Sequence, residues 1–392
     1  MTRSAGSPPR QADVVVVGAG IVGAACAYYL AAAGLGVCVL DRGPVAGGTT
    51  GGGEGNLLAS DKAPGPELDL ILRSLQLWRE LGEVLGADTI ELEPKGGLVV
   101  AASAAGLDGL RELAASQRQL GVTAIEVVAD DLTGHEPALA PGLAGGVYYP
   151  QDMQVQPMLA ATHLLRTALR RPNVRFHRAT VTGLHRGRDG RLAAVQTDAG
   201  PVATAAVVNA SGTWAGELSA RFGAPVPISP RRGFILVTEP LPPTVRHKVY
   251  AAEYVANIAS DATDAQTSAV VEATRAGTVL IGASRERVGF DDRFALPVLR
   301  RLAAQAVALF PVLAGVHAIR TYRGFRPYSP DHLPVIGPDP RVPGLLHACG
   351  HEGAGIGLAP ATGELIASFL TGAAPAVDPE PLRPGRFAAV VG

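Results

Sequence analysis

A chain of 392 residues, 47% hydrophobic and 18% charged, has the composition of a folded enzyme and not of a disordered or collagen-like chain. Its length exceeds one ordinary core and predicts two domains. The net charge of -1 lacks the basic footprint of a nucleic-acid binder, and three cysteines (Cys26, Cys38, Cys349) make neither a disulfide framework nor a metal-ligand spacing.

The N-terminal MTRSAGSPPRQ is polar, has no h-region and reads as a frayed tail. No apolar run reaches the length of a membrane span. A cytoplasmic location is expected, with peripheral membrane contact left open. From residue 13 the pattern sharpens. Val14 to Val17 is a short β-branched run that predicts a buried strand. Gly18, Gly20 and Gly23 follow as G-x-G-x-x-G, then a helical pattern through Ala27 and Leu30, with Gly34 placed as its C′ glycine. A second strand, Val37 to Leu40, stops at Asp41.

Each part has a physical role. Gly18 allows the tight turn, Gly20 lets the backbone approach a pyrophosphate, and Gly23 brings helix and sheet together. The helix N-terminus offers N–H groups and partial positive charge. Asp41, eighteen residues after Gly23, is placed to accept from a ribose 2′-OH and disfavours a 2′-phosphate. Glycine motifs alone are common. Here strand, glycines, helix, second strand and acid agree, which predicts a dinucleotide fold.

The next loop, RGPVAGGTTGGGEGNLL, carries Thr49 and Thr50 and is glycine-dense enough to wrap a cofactor. Residues 66 to 86 predict an amphipathic helix with Leu68, Ile71, Leu75, Trp78, Leu81 and Leu85 on one face. A strand (Gly97 to Ala101), a helix (Leu107 to Leu120) and a Pro/Gly-rich passage resemble an insertion, followed by a helix over 157 to 170. Short strands are predicted at Val174–His177, Thr180–His185, Leu192–Thr197 and Ala205–Asn209, with RGRDGR as a hairpin tip. AVVNASGTWAGEL returns the chain to the nucleotide sheet. Ile235–Thr238, Tyr250–Ser260, Ser268–Ala273 and Thr278–Ala283 predict a second, largely antiparallel sheet with a helix at 297 to 309. At the end, Leu345–Ala348 reads as a strand, CGHEGAGIG as a loop and Ile356 to Leu370 as a helix, a second anion-facing arrangement. Lys occurs only at 62, 95 and 248, which reads as compositional bias toward Arg.

Taken in order, the 13–41 fingerprint, TTGGGEGNL, VVNASGTWAG, YRGFRPYSPDHLPVIG and HACGHEGAGIGLAPATGELIASFLTG resemble the D-amino-acid-oxidase (DAO) superfamily of FAD enzymes, which includes glycine and sarcosine oxidases. EGNLLASDKAPGPELDL, RRGFILVTEPLP and RHKVY look most like the branch of FAD catalytic subunits of D-hydroxyproline dehydrogenase, opine oxidase and hydrogen cyanide synthase. The resemblance implies an α/β fold. A Rossmann-like FAD-binding domain would be built from 1–90, 152–230 and 323–392. A discontinuous substrate domain, from 91–151 and 231–322, would carry a mostly antiparallel sheet.

It also implies site residues. Gly18, Ala19, Gly20, Ile21, Val22, Gly23, Asp41 and Arg42 would hold the ADP half of a non-covalent FAD. Thr49, Thr50 and Gly53 would line its pyrophosphate and flavin. Val181, Ala210, Ser211, Gly212 and Trp214 would make further contacts. Gly350, His351, Gly353, Gly355, Ile356 and Gly357 would lie near the isoalloxazine. Arg326, in R-G-F-R-P, would clamp a substrate carboxylate in bidentate fashion, against the alternative of a surface arginine beside Arg320 and Arg323. Tyr250, Tyr254 and Tyr322 are candidates to orient substrate. His332 and His351 are candidate bases, though a hydrogen-bonded structural histidine is the commoner case.

Three departures from the oxidases shape the expected activity. Gly353 stands where glycine oxidase has an arginine, and Leu280 where sarcosine oxidase has its oxygen-activating lysine. The covalent flavin cysteine has no counterpart near Tyr322 to Phe325. The expectation is a dehydrogenase oxidising a small amino or imino acid to an imine and passing electrons to a partner subunit or carrier. Its alternatives are a glycine, sarcosine or D-amino acid oxidase releasing H2O2, and a non-catalytic FAD subunit. An aromatic hydroxylase is disfavoured because Gly350-His351 replaces the Gly-Asp pair of that class.

Overall fold

The computed structural model describes residues 8–254 and 265–387. A six-stranded sheet runs in the order Val335–Pro338, Leu345–Cys349, Ala206–Asn209, Val14–Val17, Val37–Asp41, Val174–Arg178. It is parallel throughout except for the antiparallel edge strand Val335–Pro338. The four consecutive valines of the central strand Val14–Val17 are apolar in both directions because both sheet faces are covered. Val14 and Val16 pack into the cluster formed with the helices. Val15 and Val17 pack on the other face, against Val181, Leu192, Val195 and Val202 of a three-stranded sheet built from Val181–Arg186, Leu192–Thr197 and Val202–Ala203.

The fingerprint helix spans Ile21–Ala32 and is capped by Gly34 at φ +90°. Leu35 N donates to Leu30 O and Gly34 N to Ala31 O, the two bonds of a Schellman motif. This Ala-rich helix is buried along most of its length between Pro157–Ala168 and the C-terminal helix Gly355–Thr371. A side chain at Gly363 would collide with the Ala25 backbone, so that glycine sets the helix–helix spacing. The stretch Glu352–Thr371 is long and apolar enough to cross a membrane by length and composition, which the sequence reading did not recognise. Its most apolar window is 67% buried inside the fold, and that packing accounts for its hydropathy.

An eight-stranded sheet forms the second layer, in the order Ala318–Tyr328, Ser229–Thr238, Val279–Arg285, Gln266–Ala273, Lys248–Ala251, Gly97–Ala101, Gly145–Tyr149, Ile125–Val128. All pairs are antiparallel but one, Lys248–Ala251 with Gly97–Ala101. Alternation assigns its faces. Phe234, Leu236 and Ile281 pack with Val298 and Leu302 of the helix Leu296–Leu309, while Gly233 and Ile235 face the central cleft. Two strands cross the expected domain boundaries: Ser229–Thr238 begins before residue 231, and Ala318–Tyr328 runs on past residue 322.

One expected strand is corrected. Where Tyr250–Ser260 was expected, the strand is Lys248–Ala251 and the chain turns helical at 252–254. Residues 255–264, like the tail at 1–7, lie outside the described residues. The helix predicted from Leu107 starts at Ala104, where the Ser103 hydroxyl accepts from Gly106 N at 3.2 Å as an N-cap.

Candidate active site

A cleft runs between the two large sheets, from Asp41 and Arg42 at one end to Arg326 and Gly353 at the other. Its first wall is the fingerprint turn. Gly18 adopts φ +114°, and a Cβ there would collide with the Ala210 carbonyl; one at Gly23 would collide with the Gly18 carbonyl. Glycine is therefore required for the turn and for helix contact. Asp41 Oδ2 accepts from Ala19 N at 2.7 Å and Oδ1 from Gly43 N at 2.7 Å. The carboxylate thus ties the turn to the end of the second strand while still lining the cleft. The helix Ile21–Ala32 has no side-chain bond from its N-cap residue and no acid in its first turn, so no acid of that turn neutralises its positive end.

The glycine-rich loop forms the roof. Thr50 Oγ1 accepts from Ile21 N at 2.9 Å. Thr49 Oγ1 donates to Phe325 O at 2.7 Å and Thr213 Oγ1 to the same carbonyl at 2.5 Å. Both threonines line the cleft as expected, but these bonds tie the loop to the protein itself. Trp214 is held between Arg42, 4.4 Å from its ring centroid, and Phe290, stacked at 5.5 Å. Val181, Ala210, Ser211 and Gly212 line the same end.

At the far end Arg326 lies across from Arg231 on the neighbouring strand. Its Nη1 donates to Ser284 O at 2.7 Å, in space kept open because residue 233 is glycine. Burial, and then the nearby Arg285 charge, push its guanidinium down to about 10, so it is still cationic at neutral pH. Gly353 lies in ordinary contact with the Arg326 side chain. Glu352 is engaged by Arg231 Nη1 at 3.3 Å and by His332 Nδ1 at 3.0 Å.

The remaining predicted residues divide. Gly20, Ile21, Val22, Gly53, Tyr254, His351, Gly355 and Ile356 line the cleft. Burial holds His351 down to about 3, so it is neutral, with Nε2 3.0 Å from Thr362 Oγ1. That makes it a packing residue of the cleft wall, as the sequence reading weighed. Ala19, Gly23, Gly350 and Gly357 shape the cleft from behind; Gly357 abuts Ile71 and Asn56, and Gly350 abuts Ile228 at φ +76°. Two tyrosines stand off the cleft. Tyr250 is fully buried, bonded to Ser60, whose hydroxyl also meets Asp152. Burial raises its phenol far above the usual range. Tyr322 donates to Gly53 O at 3.3 Å and so braces the loop.

A family model described as DAO, FAD dependent oxidoreductase, matches residues 13–369. The chain belongs to the DAO family. Glycine oxidase of Pseudomonas putida is 31% identical over 384 residues, covering 96% of this chain and 99% of the relative. Hydrogen cyanide synthase subunit HcnC of Pseudomonas aeruginosa is 30% identical over 421 residues, covering 96% and 97%. The crystal structure of glycine oxidase from Geobacillus kaustophilus superimposes with a TM-score of 0.86 at 27% identity, covering 96% of this chain and 98% of that one. As a DAO-family protein it is an FAD-dependent oxidoreductase acting on amino-acid C–N bonds.

The cleft of this DAO-family chain fits FAD on structural grounds. Two helices open beside the cleft with no acid in their own first turn, one at Ile21, whose N–H bonds to the neutral Thr50 hydroxyl, and one at Gly355, one short turn after Glu352. Bare backbone at Gly18 and Gly20 borders the cleft where a pyrophosphate would lie. Cys26, Cys38 and Cys349 are all buried, and burial pushes each thiol up to about 12; Cys349 borders the cleft.

Glu54, a cleft-lining carboxylate that is only 8% exposed, is not among the residues the sequence singles out. Its Oε2 accepts from Asn56 Nδ2 at 3.1 Å. Asn56 in turn contacts Lys248 Nζ, which is 2.6 Å from Glu272 Oε2. The available signal was an acid set between glycines in an otherwise uncharged loop.

Proposed function

We propose that this protein is a dehydrogenase of small amino or imino acids, with cyclic secondary amines of the hydroxyproline or proline kind first among its substrates. We place cofactor binding in 1–90, 152–230 and 323–392, substrate closure in 91–151 and 231–322, and the whole in the cytoplasm with an electron-accepting subunit or carrier. The observation that carries the reading is Arg326, a cation lining the cleft whose pKa burial has lowered. Bidentate N–H donation to a carboxylate restores the interactions that burial removes. It also fixes the position of the substrate's α-carbon.

Bound FAD supplies the two-electron acceptor for the hydride that leaves that carbon. The protein's part is orientation and exclusion of water. Arg326 holds the carboxylate, and Tyr254 and Ile356 present apolar surface beside it. The start of Gly355–Thr371, with no acid in its own first turn, would offer positive dipole to negative charge on the reduced flavin. Among the described residues no lysine lines the cleft, which supports slow reaction with O2. The 31% identity to a protein named glycine oxidase favours the second reading, a self-sufficient oxidase.

The test is anaerobic bleaching of FAD-loaded protein with D-hydroxyproline, D- and L-proline, glycine, sarcosine, octopine and D-alanine, followed by air. Bleaching that persists in air is the expected result and names the substrate class. Rapid reoxidation with H2O2 would replace the dehydrogenase reading by the oxidase one. No bleaching by any of these compounds would refute this substrate assignment and leave a non-catalytic subunit in its place.

A further inference from the structure

Glu54 is buried, lines the cleft, and its Oε1 has no hydrogen-bond partner among the described residues. A buried carboxylate oxygen without a donor is costly. The fold nevertheless makes room for it, since a Cβ at Gly282 would collide with Oε1. The same device serves the opposite charge. A Cβ at Gly233 would collide with Arg326 Nη1, which also reaches Ser284 O.

These two glycines lie on neighbouring antiparallel strands. The register pairs Leu236 with Ile281 and Val237 with Leu280 and, further along, Arg232 with Glu286, so Gly233 and Gly282 both lie in the stretch between these pairs. Anion and cation thus border the same cleft, each seated over a glycine of this sheet.

We infer that Glu54 accepts a hydrogen bond from the substrate's amine N–H while Arg326 holds the carboxylate. The site then selects primary or secondary α-amines and rejects carboxylates that present an ether oxygen at that place. The inference rests on the Arg326 reading above and adds to it the recognition of the nitrogen. The bond from Asn56 Nδ2 to Oε2 leaves Oε1 as the acceptor for the ligand.

The experiment uses two planar carboxylates of one shape that cannot be oxidised to an imine, pyrrole-2-carboxylate with its N–H and furan-2-carboxylate with a ring oxygen. Their dissociation constants are measured on FAD-loaded protein from the perturbed flavin absorbance. A donor lost from a charged acceptor is worth about 1.5–3 kcal/mol, so pyrrole-2-carboxylate should bind roughly 10- to 100-fold tighter. In Glu54→Gln, which retains its flavin spectrum, the preference should fall to within about threefold, because the amide presents a donor as readily as an acceptor. Equal binding of the two ligands to the unaltered protein overturns the inference without needing any variant, and leaves Arg326 standing. Undiminished preference in Glu54→Gln overturns it as well. Binding of neither ligand overturns the Arg326 reading and this inference with it.

Discussion

Replacing Arg326 with Met should separate stability from ligand binding. The guanidinium is lowered from its usual 12.5 to about 10, and 1.36 kcal/mol per pK step gives roughly 3 kcal/mol of destabilisation of the charged form. Partial solvent access reduces this to about 2 kcal/mol. The unfolded chain binds the proton more tightly than the folded one, so this destabilisation persists at every pH below about 10 and is relieved only above it. Met fills similar space without charge, at the loss of about 1 kcal/mol from the bond to Ser284 O. The ligand-free variant should therefore be as stable as the parent or about 1 kcal/mol more stable. Denaturant unfolding of FAD-loaded protein, with and without furan-2-carboxylate, reads both quantities. At a hundred times its dissociation constant the ligand should stabilise the parent by about 2.7 kcal/mol and leave Arg326→Met unmoved. A variant more than about 2 kcal/mol less stable without ligand, or one that the carboxylate still stabilises, would refute the reasoning.

Asp41→Ala removes the acceptor of two amide bonds as well as the ribose partner, and should weaken FAD binding to the apoprotein at least tenfold by fluorescence quenching; unchanged affinity would remove Asp41 from the site. Asp152→Asn addresses pH. Burial, which outweighs the bonds from Ser60 and Ala59, lifts the Asp152 carboxyl from 3.8 to about 7, so the folded state binds its proton more tightly. This group's contribution therefore falls as pH rises from about 4 to 7, by at most about 4 kcal/mol. Relative to Asp152→Asn, the parent should lose stability across that window, and parallel curves would exclude the shift.

Much of the cofactor half was legible because its physics is local. Val14–Val17, the three glycines, the helix and Asp41 each announce themselves by periodicity or by backbone demand, and the structure places them with boundaries shifted by a residue or two. The substrate half was less legible because charge interrupts its hydrophobic pattern. Ser229–Thr238 was read only from Ile235 onward, since Arg231 and Arg232 look like solvent-facing residues. Both are buried, paired with Glu352 and Glu286. Ala318–Tyr328 failed the same way: its run of arginines and tyrosines was read as a motif, yet it forms an eleven-residue edge strand. Glu54 was hidden for a different reason. Its meaning depends on Gly282, more than two hundred residues later, and no local spacing encodes that contact. Lys248 was likewise absorbed into a remark on composition, whereas the fold buries it against Glu272.

The carbonyl of Phe325 receives hydroxyls from Thr49 and Thr213, one from the loop above the cofactor cleft and one from the turn after the strand Ala206–Asn209. The next residue is Arg326. A single peptide group therefore belongs to both binding events, and movement of the loop cannot be independent of the position of the guanidinium. Thermodynamic linkage makes any such dependence mutual: the factor by which the dinucleotide tightens the hold on a carboxylate equals the factor by which the carboxylate raises the affinity for the dinucleotide. In a cell, a chain of this design would keep its prosthetic group best where its substrate is abundant.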